Sequence, residues 1–247
     1  MQGGAKDMLI WILILALAPG IFWLLYFYSR DRLEPEPRHL VVKTFLWGIA
    51  VALPVAIAEG LMAWIGAFLL IVFVGPVLEE YGKYFVVTRT VYRREEFNEP
   101  MDGIVYAVAA ALGFASIENV GYLFSVEMLA PEMLGLTFWA RALLSVPGHA
   151  LFSSMWGYAL GWGLLIEDEH ERQAFIRRGL WTAIAFHGAF NLLALLGAEL
   201  GLVASGFLLI LIVFAWRAVH RRIASALENS QHHRSLMGFA DDPQKPE

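Results

Sequence analysis

The chain has 247 residues, of which 58% are hydrophobic and 17% charged, with a formal net charge of −5. A soluble domain carries about a quarter charged residues, so this balance, with a mean hydropathy of +0.58, excludes a soluble enzyme and points to a polytopic membrane protein. Zero cysteines exclude disulfides, thiol catalysis and thiolate metal sites, and no basic, aromatic-interleaved surface suggests nucleic-acid binding.

The apolar runs predict an all-α transmembrane helix bundle of about seven spans, roughly 8–28, 41–58, 62–88, 103–126, 135–165, 178–197 and 200–217. The first run, Met8 to about Tyr28, is longer than a signal-peptide core and lacks a small-x-small cleavage site, so it reads as a retained span. RDRLEPEPRHL follows as a charged, proline-punctuated loop. Val41 to Val87 is almost continuously apolar, and Glu59 with Gly60 marks the turn that divides it. The small residues of AVAAALGFAS and Gly157-x-x-x-Gly161 permit close helix approach. Pro147-Gly148 predicts a kink just before His149.

Basic residues cluster in alternate loops: Arg30, Arg32 and Arg38; Arg89, Arg93 and Arg94; Arg172, Arg177 and Arg178; Arg217, Arg221 and Arg222. The intervening turns near Glu59, at 127–134 and at Gly197–Gly201 carry no base. Positive loops stay in the cytoplasm, which sets the N-terminus outside and the C-terminus inside. The organisation expected is one membrane domain, 1–222, and a polar, disordered cytoplasmic tail, 223–247. The chain is then a multi-pass protein of the cell membrane, with the lipid bilayer as its first partner.

Polar residues inside these runs carry the functional information. Glu79 and Glu80 stand side by side in AFLLIVFVGPVLEEYGKYFVV, where one carboxylate at bilayer depth costs roughly 2.5–3.5 kcal/mol on insertion scales. Glu79 lies about ten residues before Arg89, or ~15 Å along a helix, which is near the midplane. Lys83 shares its face at i,i+4. Glu118 with Asn119, then His149, then His187 with Asn191, recur in later spans. Adjacent carboxylates resist joint ionisation, which suits a general base. Imidazoles supply oxyanion donors or metal ligands, and Asn191 either orients His187 or donates to the same oxyanion. These are the parts of an amide hydrolase. Other intramembrane chemistries lack their motifs: there is no His-Glu-x-x-His, no Gly-x-Gly-Asp and no Gly-x-Ser-x-Gly. A proton-coupled transporter is the alternative, since Glu and His chains also relay protons, but no inverted repeat is present.

Taken in order, Tyr26-x4-Asp31 with EPEP, Glu79-Glu80-x-x-Lys83, DGIVYAVAAALGFASIENVGY, HALFSS and HGAFN resemble the PrsW family of intramembrane proteases, which is related to the CAAX-prenyl endopeptidase and bacteriocin-processing superfamily. The resemblance runs from the first span to the seventh. It implies an intramembrane endopeptidase acting on a membrane-associated protein, such as an anti-sigma factor in regulated proteolysis. It also implies that Glu79 and Glu80 are catalytic and His187 essential, with Glu118 and His149 in the site and Lys83, Asn119 and Asn191 supporting. Where the relatives carry Phe-x-x-x-His, the matching position here is Glu118. A metal-free, glutamate-activated water is the preferred mechanism. A zinc metalloprotease is the alternative, with Glu80, Glu118, His149 and His187 as candidate ligands.

Overall fold

The computed structural model describes residues 2–230. The fold expected from sequence is all-helical, and the helices are α1 (Gln2–Tyr28), α2 (Arg38–Leu61), α3 (Ala67–Leu69), α4 (Gly75–Thr90), α5 (Pro100–Leu129), α6 (Leu134–Ala140), α7 (Val146–Trp162), α8 (Glu169–Leu200) and α9 (Leu202–Glu228). Among the described residues five segments are long and apolar enough to cross a membrane: Lys6–Tyr28, Arg38–Leu61, Pro100–Leu129, Glu169–Gly197 and Leu202–Glu228. Residues 231–247 of the expected tail lie outside the described residues, and α9 runs on to Glu228.

The other two predicted spans are interrupted helices. A π segment, Leu70–Val74, joins α3 to α4, and a second, Arg141–Ser145, joins α6 to α7. The backbone stays right-handed helical through both junctions, at Leu70, Gly75, Arg141 and Val146. Each π segment runs up to a proline, Pro76 or Pro147, which has no N–H to give the preceding turn. The carbonyl five residues before each proline is taken by a side chain from another helix. Asn191 Nδ2 donates to Ile71 O at 2.9 Å, and Trp23 Nε1 donates to Ala142 O at 2.9 Å. Helix breaks are tolerated at membrane depth only where neighbours satisfy the freed groups in this way.

α5 is the central helix, packed against α1, α2, α4 and α7. Its small residues allow that many neighbours. Gly103 and Gly157 bring α5 and α7 to backbone contact, and a Cβ on either would run into the other's carbonyl. The turn after α2 differs from expectation. It falls at 62–66, where Gly66 takes φ +94°, rather than at Glu59–Gly60. α2 continues through Glu59, whose carboxylate lines a cavity described below.

The proline-punctuated loop between α1 and α2 is packed against the start of α5. Asp31 and Glu36 are both buried. Asp31 Oδ2 accepts from the Glu36 backbone N–H at 3.1 Å, Tyr28 Oη donates to Glu36 O at 2.8 Å, and Tyr106 Oη donates to the Glu36 carboxylate. Burial pushes the Asp31 carboxyl up to about 7, and burial beside Asp102 raises Glu36 as well. A carboxyl raised in the folded state is fully supported below its unfolded pKa and loses that support as pH rises through the folded value. Relative to the intrinsic base-catalysed rate, hydrogen exchange across 29–37 should therefore quicken several-fold between about pH 4 and about pH 8, and Asp31→Asn should flatten that rise. An exchange rate with no pH dependence beyond the chemical one would show that these carboxyls do not hold the loop.

Candidate active site

Glu79, Glu80 and Lys83 lie in α4 within two turns after Pro76, and all three are buried. Spacings of three and four residues bring Lys83 alongside both carboxylates. Lys83 is fully buried, and its ammonium is matched donor for donor. Nζ donates to Glu79 Oε2 at 3.2 Å, to Glu80 Oε1 at 2.9 Å and to His149 Nδ1 at 3.0 Å. It also stands 4.5 Å from the centre of the Phe114 ring.

The two adjacent glutamates have different surroundings. Glu80 is fully buried and accepts from donors on three helices. Oε1 takes Lys83 Nζ and His187 Nδ1, the latter at 3.0 Å. Oε2 takes Ser153 Oγ at 2.7 Å and Trp156 Nε1 at 2.9 Å. With both oxygens doubly bonded, Glu80 is an anchor. Glu79 accepts only from Lys83 among the described hydrogen bonds, and it lines two cavities, of 510 and 610 Å³.

The imidazoles close around Glu79. His149 Nδ1 lies 3.7 Å and His187 Nε2 3.8 Å from Glu79 Oε2, and the two rings stand edge to face, 4.9 Å between centres. Donor rules assign the tautomers. Lys83 has no lone pair, so His149 Nδ1 accepts, and Nε2–H donates to Glu118 Oε2 at 3.0 Å. Glu80 is the acceptor for His187 Nδ1–H, which leaves the Nε2 lone pair of His187 directed toward Glu79.

Glu118 is held on its far side by Arg141, whose Nη2 donates to it at 2.9 Å. Arg141 Nε donates to Asn119 Oδ1, and the guanidinium lies 3.9 Å from the Tyr122 ring centre. Asn119 Nδ2 reaches the Ala16 carbonyl at 3.4 Å. Asn119 thus ties α1, α5 and the π segment together and does not touch the imidazoles. Asn191 is committed to the Ile71 carbonyl and not to His187, four residues away on the same helix.

Several residues of this site were not read from the sequence. Ser153 and Trp156 both anchor Glu80. Arg141 was legible as an arginine in an apolar run. Glu59 lines both cavities together with Glu79 and Glu118; as one acid near a plausible turn it had no distinguishing signal.

Glu79, His149 and His187 present one ligand atom each, all within 4.8 Å of one another. Two imidazoles and a carboxylate are a catalytic zinc donor set, and Glu80 on His187 Nδ1 is the supporting carboxylate such ligands require. By donor chemistry the residues fit zinc. Of the candidate ligands expected from sequence, His149 and His187 belong to this cluster. Glu80 and Glu118 lie behind the imidazoles as their partners, and Glu79 takes the third place. Lys83 Nζ bonds two of the three ligand atoms, so a dication and the ammonium cannot share the position.

Buried carboxylates and imidazoles, converging inside a bundle of membrane-length helices beside an open cavity, define an intramembrane hydrolase. A family model described as PrsW family intramembrane metalloprotease matches residues 36–218. The chain is 35% identical over 218 residues to Protease PrsW of Geobacillus kaustophilus (strain HTA426), covering 85% of this chain and 89% of that protein. It is 32% identical over 186 residues to Protease PrsW of Bacillus subtilis (strain 168), covering 73% and 81%, and 32% identical over 232 residues to that of Halalkalibacterium halodurans (strain ATCC BAA-125 / DSM 18197 / FERM 7344 / JCM 9153 / C-125), covering 88% and 98%. No solved structure matches. The chain belongs to the PrsW family of intramembrane proteases, a multi-pass membrane peptidase rather than a transporter, and its substrate class is membrane protein.

Proposed function

We propose that the chain is an endopeptidase that hydrolyses a peptide bond of a membrane-associated protein by water activated at Glu79. The observation that carries this is the division of labour between adjacent carboxylates: Glu80 is saturated with donors, while Glu79 faces the cavities with lone pairs to spare. Glu79 takes the proton of the attacking water and returns it to the leaving amine. His187, fixed by Glu80, accepts from the water at its free Nε2 lone pair, while His149, bound at both ring nitrogens, keeps Lys83 and Glu118 in register around it. Sequence reasoning gave the oxyanion to His149, His187 and Asn191. The Asn191 amide is already bound to Ile71, and His149 Nε2–H to Glu118. Arg141 lines the same cavity, and its guanidinium N–H groups not bound to Glu118 or Asn119 are the better oxyanion donors. The resemblance suggests an anti-sigma factor as substrate.

Seven crossings, with α3–α4 and α6–α7 each counted as one broken span, are the topology that fits the alternating basic loops. α4 has 16 residues and α7 has 17, each short of the ~20 that a bilayer needs. The π segments and the turns before them supply the remainder. The N-terminus is then outside and the C-terminus cytoplasmic.

A second reading is favoured by the cluster itself. Glu79, His149 and His187 would hold zinc once Lys83 withdraws. The metal would lower the pKa of its water and polarise the scissile carbonyl. Elemental analysis of purified, active protein decides between the two. The glutamate mechanism expects no stoichiometric zinc and full activity in chelator. One zinc per chain, lost together with activity, would establish the metal reading instead.

A further inference from the structure

Two cavities meet at Glu79. The first, of 510 Å³, lies between α2 and α5, with Ala52, Leu53 and Ala56 on one wall and Phe114, Ile117 and Gly121 on the other. The second, of 610 Å³, is more polar and holds Arg141, His149, His187 and Asn191. Glu59, Glu79, Glu118 and Tyr122 border both. The carboxylates therefore stand where two lobes join, both lined mainly by apolar residues.

On α2 the first lobe is lined by alanines. Ala52, which is buried, and Ala56, which is exposed at the mouth, are four apart and share a face, while Ile57 is not among the lining residues and is exposed on the outer surface of the bundle. Leu53, at the rim, is exposed too. The cavity is within the size range of built ligand sites, and it opens among side chains that face the membrane. An acyl chain filling it would bury the carboxylates at its end against hydrocarbon, which is costly. A peptide would bring amide groups to that end and apolar side chains to the rest.

We propose that this α2–α5 lobe receives the apolar side chain beside the scissile bond, and that Ala52 and Ala56 set the largest residue accepted there. The inference rests on the protease reading above and deepens it. The second lobe takes the chain on the other side of the bond, so the scissile carbonyl comes to rest over Glu79.

The test uses the full chain in proteoliposomes and, as probe, a solubilised bacterial membrane proteome, with new termini mapped by mass spectrometry. Ala56→Trp fills the lobe and should lower cleavage beside Leu, Met or Phe by about tenfold or more relative to cleavage beside Ala or Gly. Leu53→Ala widens the lobe without adding volume. It should raise cleavage beside Trp, and it keeps the inference testable if Ala56→Trp does not accumulate. If wild type cleaves and both accumulating variants keep its residue profile, the lobe is not a subsite and the inference falls alone. If wild type yields no termini beyond those of Glu79→Gln, the protease reading falls and takes the inference with it.

Discussion

Glu79→Gln should abolish cleavage while leaving the bundle intact. A positioned general base contributes ~10²–10⁴-fold, and the loss is expected in that range. The amide keeps an oxygen for Lys83, whose bonds to Glu80 and His149 are untouched, so thermal unfolding in detergent should move little. The pairing of near-zero activity with near-native stability is the diagnostic outcome. Wild-type turnover by Glu79→Gln would remove Glu79 from the chemistry.

Glu80→Ala should do the reverse in order of cause. It leaves Lys83, His187, Ser153 and Trp156 without the acceptor that all four share. Removing one partner from a buried ion pair costs ~3–5 kcal/mol, and three further donors, His187, Ser153 and Trp156, lose their acceptor here. A large fall in unfolding temperature is expected, with activity lost because His187 is no longer held in one tautomer. Glu80→Gln should rescue only part of this. Its NH₂ group must face either the Lys83–His187 pair or the Ser153–Trp156 pair, which places donor against donor. An unfolding temperature for Glu80→Ala within a degree or so of Glu79→Gln would contradict the anchoring role. The two neighbouring glutamates are thus expected to fail in distinguishable ways.

Much of the site was legible before folding was considered. Lys83 at four residues from Glu79, and the isolated Glu118, His149 and His187 in apolar runs, were each marked by the cost of a polar group at bilayer depth. Pro147 marked the break before His149, and the small residues of 107–116 and Gly157-x-x-x-Gly161 marked a tight helix contact. The π segments were not legible. A proline signals a missing donor but not whether the turn before it kinks or widens, and that depends on Asn191 and Trp23 arriving from other helices to take the freed carbonyls.

That the chain is a helical membrane protein follows from its segments one by one, because length and apolarity are properties of single segments. The same holds for the residues too polar to be there without cause. What each of them does depends on how the helices pack. Adjacent residues on a helix point about 100° apart, so Glu79 and Glu80 face different neighbours. Which face meets a cavity and which meets Ser153, Trp156 and His187 depends on the rotation of α4 against α7 and α8. That rotation is set by packing among distant segments, and no spacing within one segment encodes it.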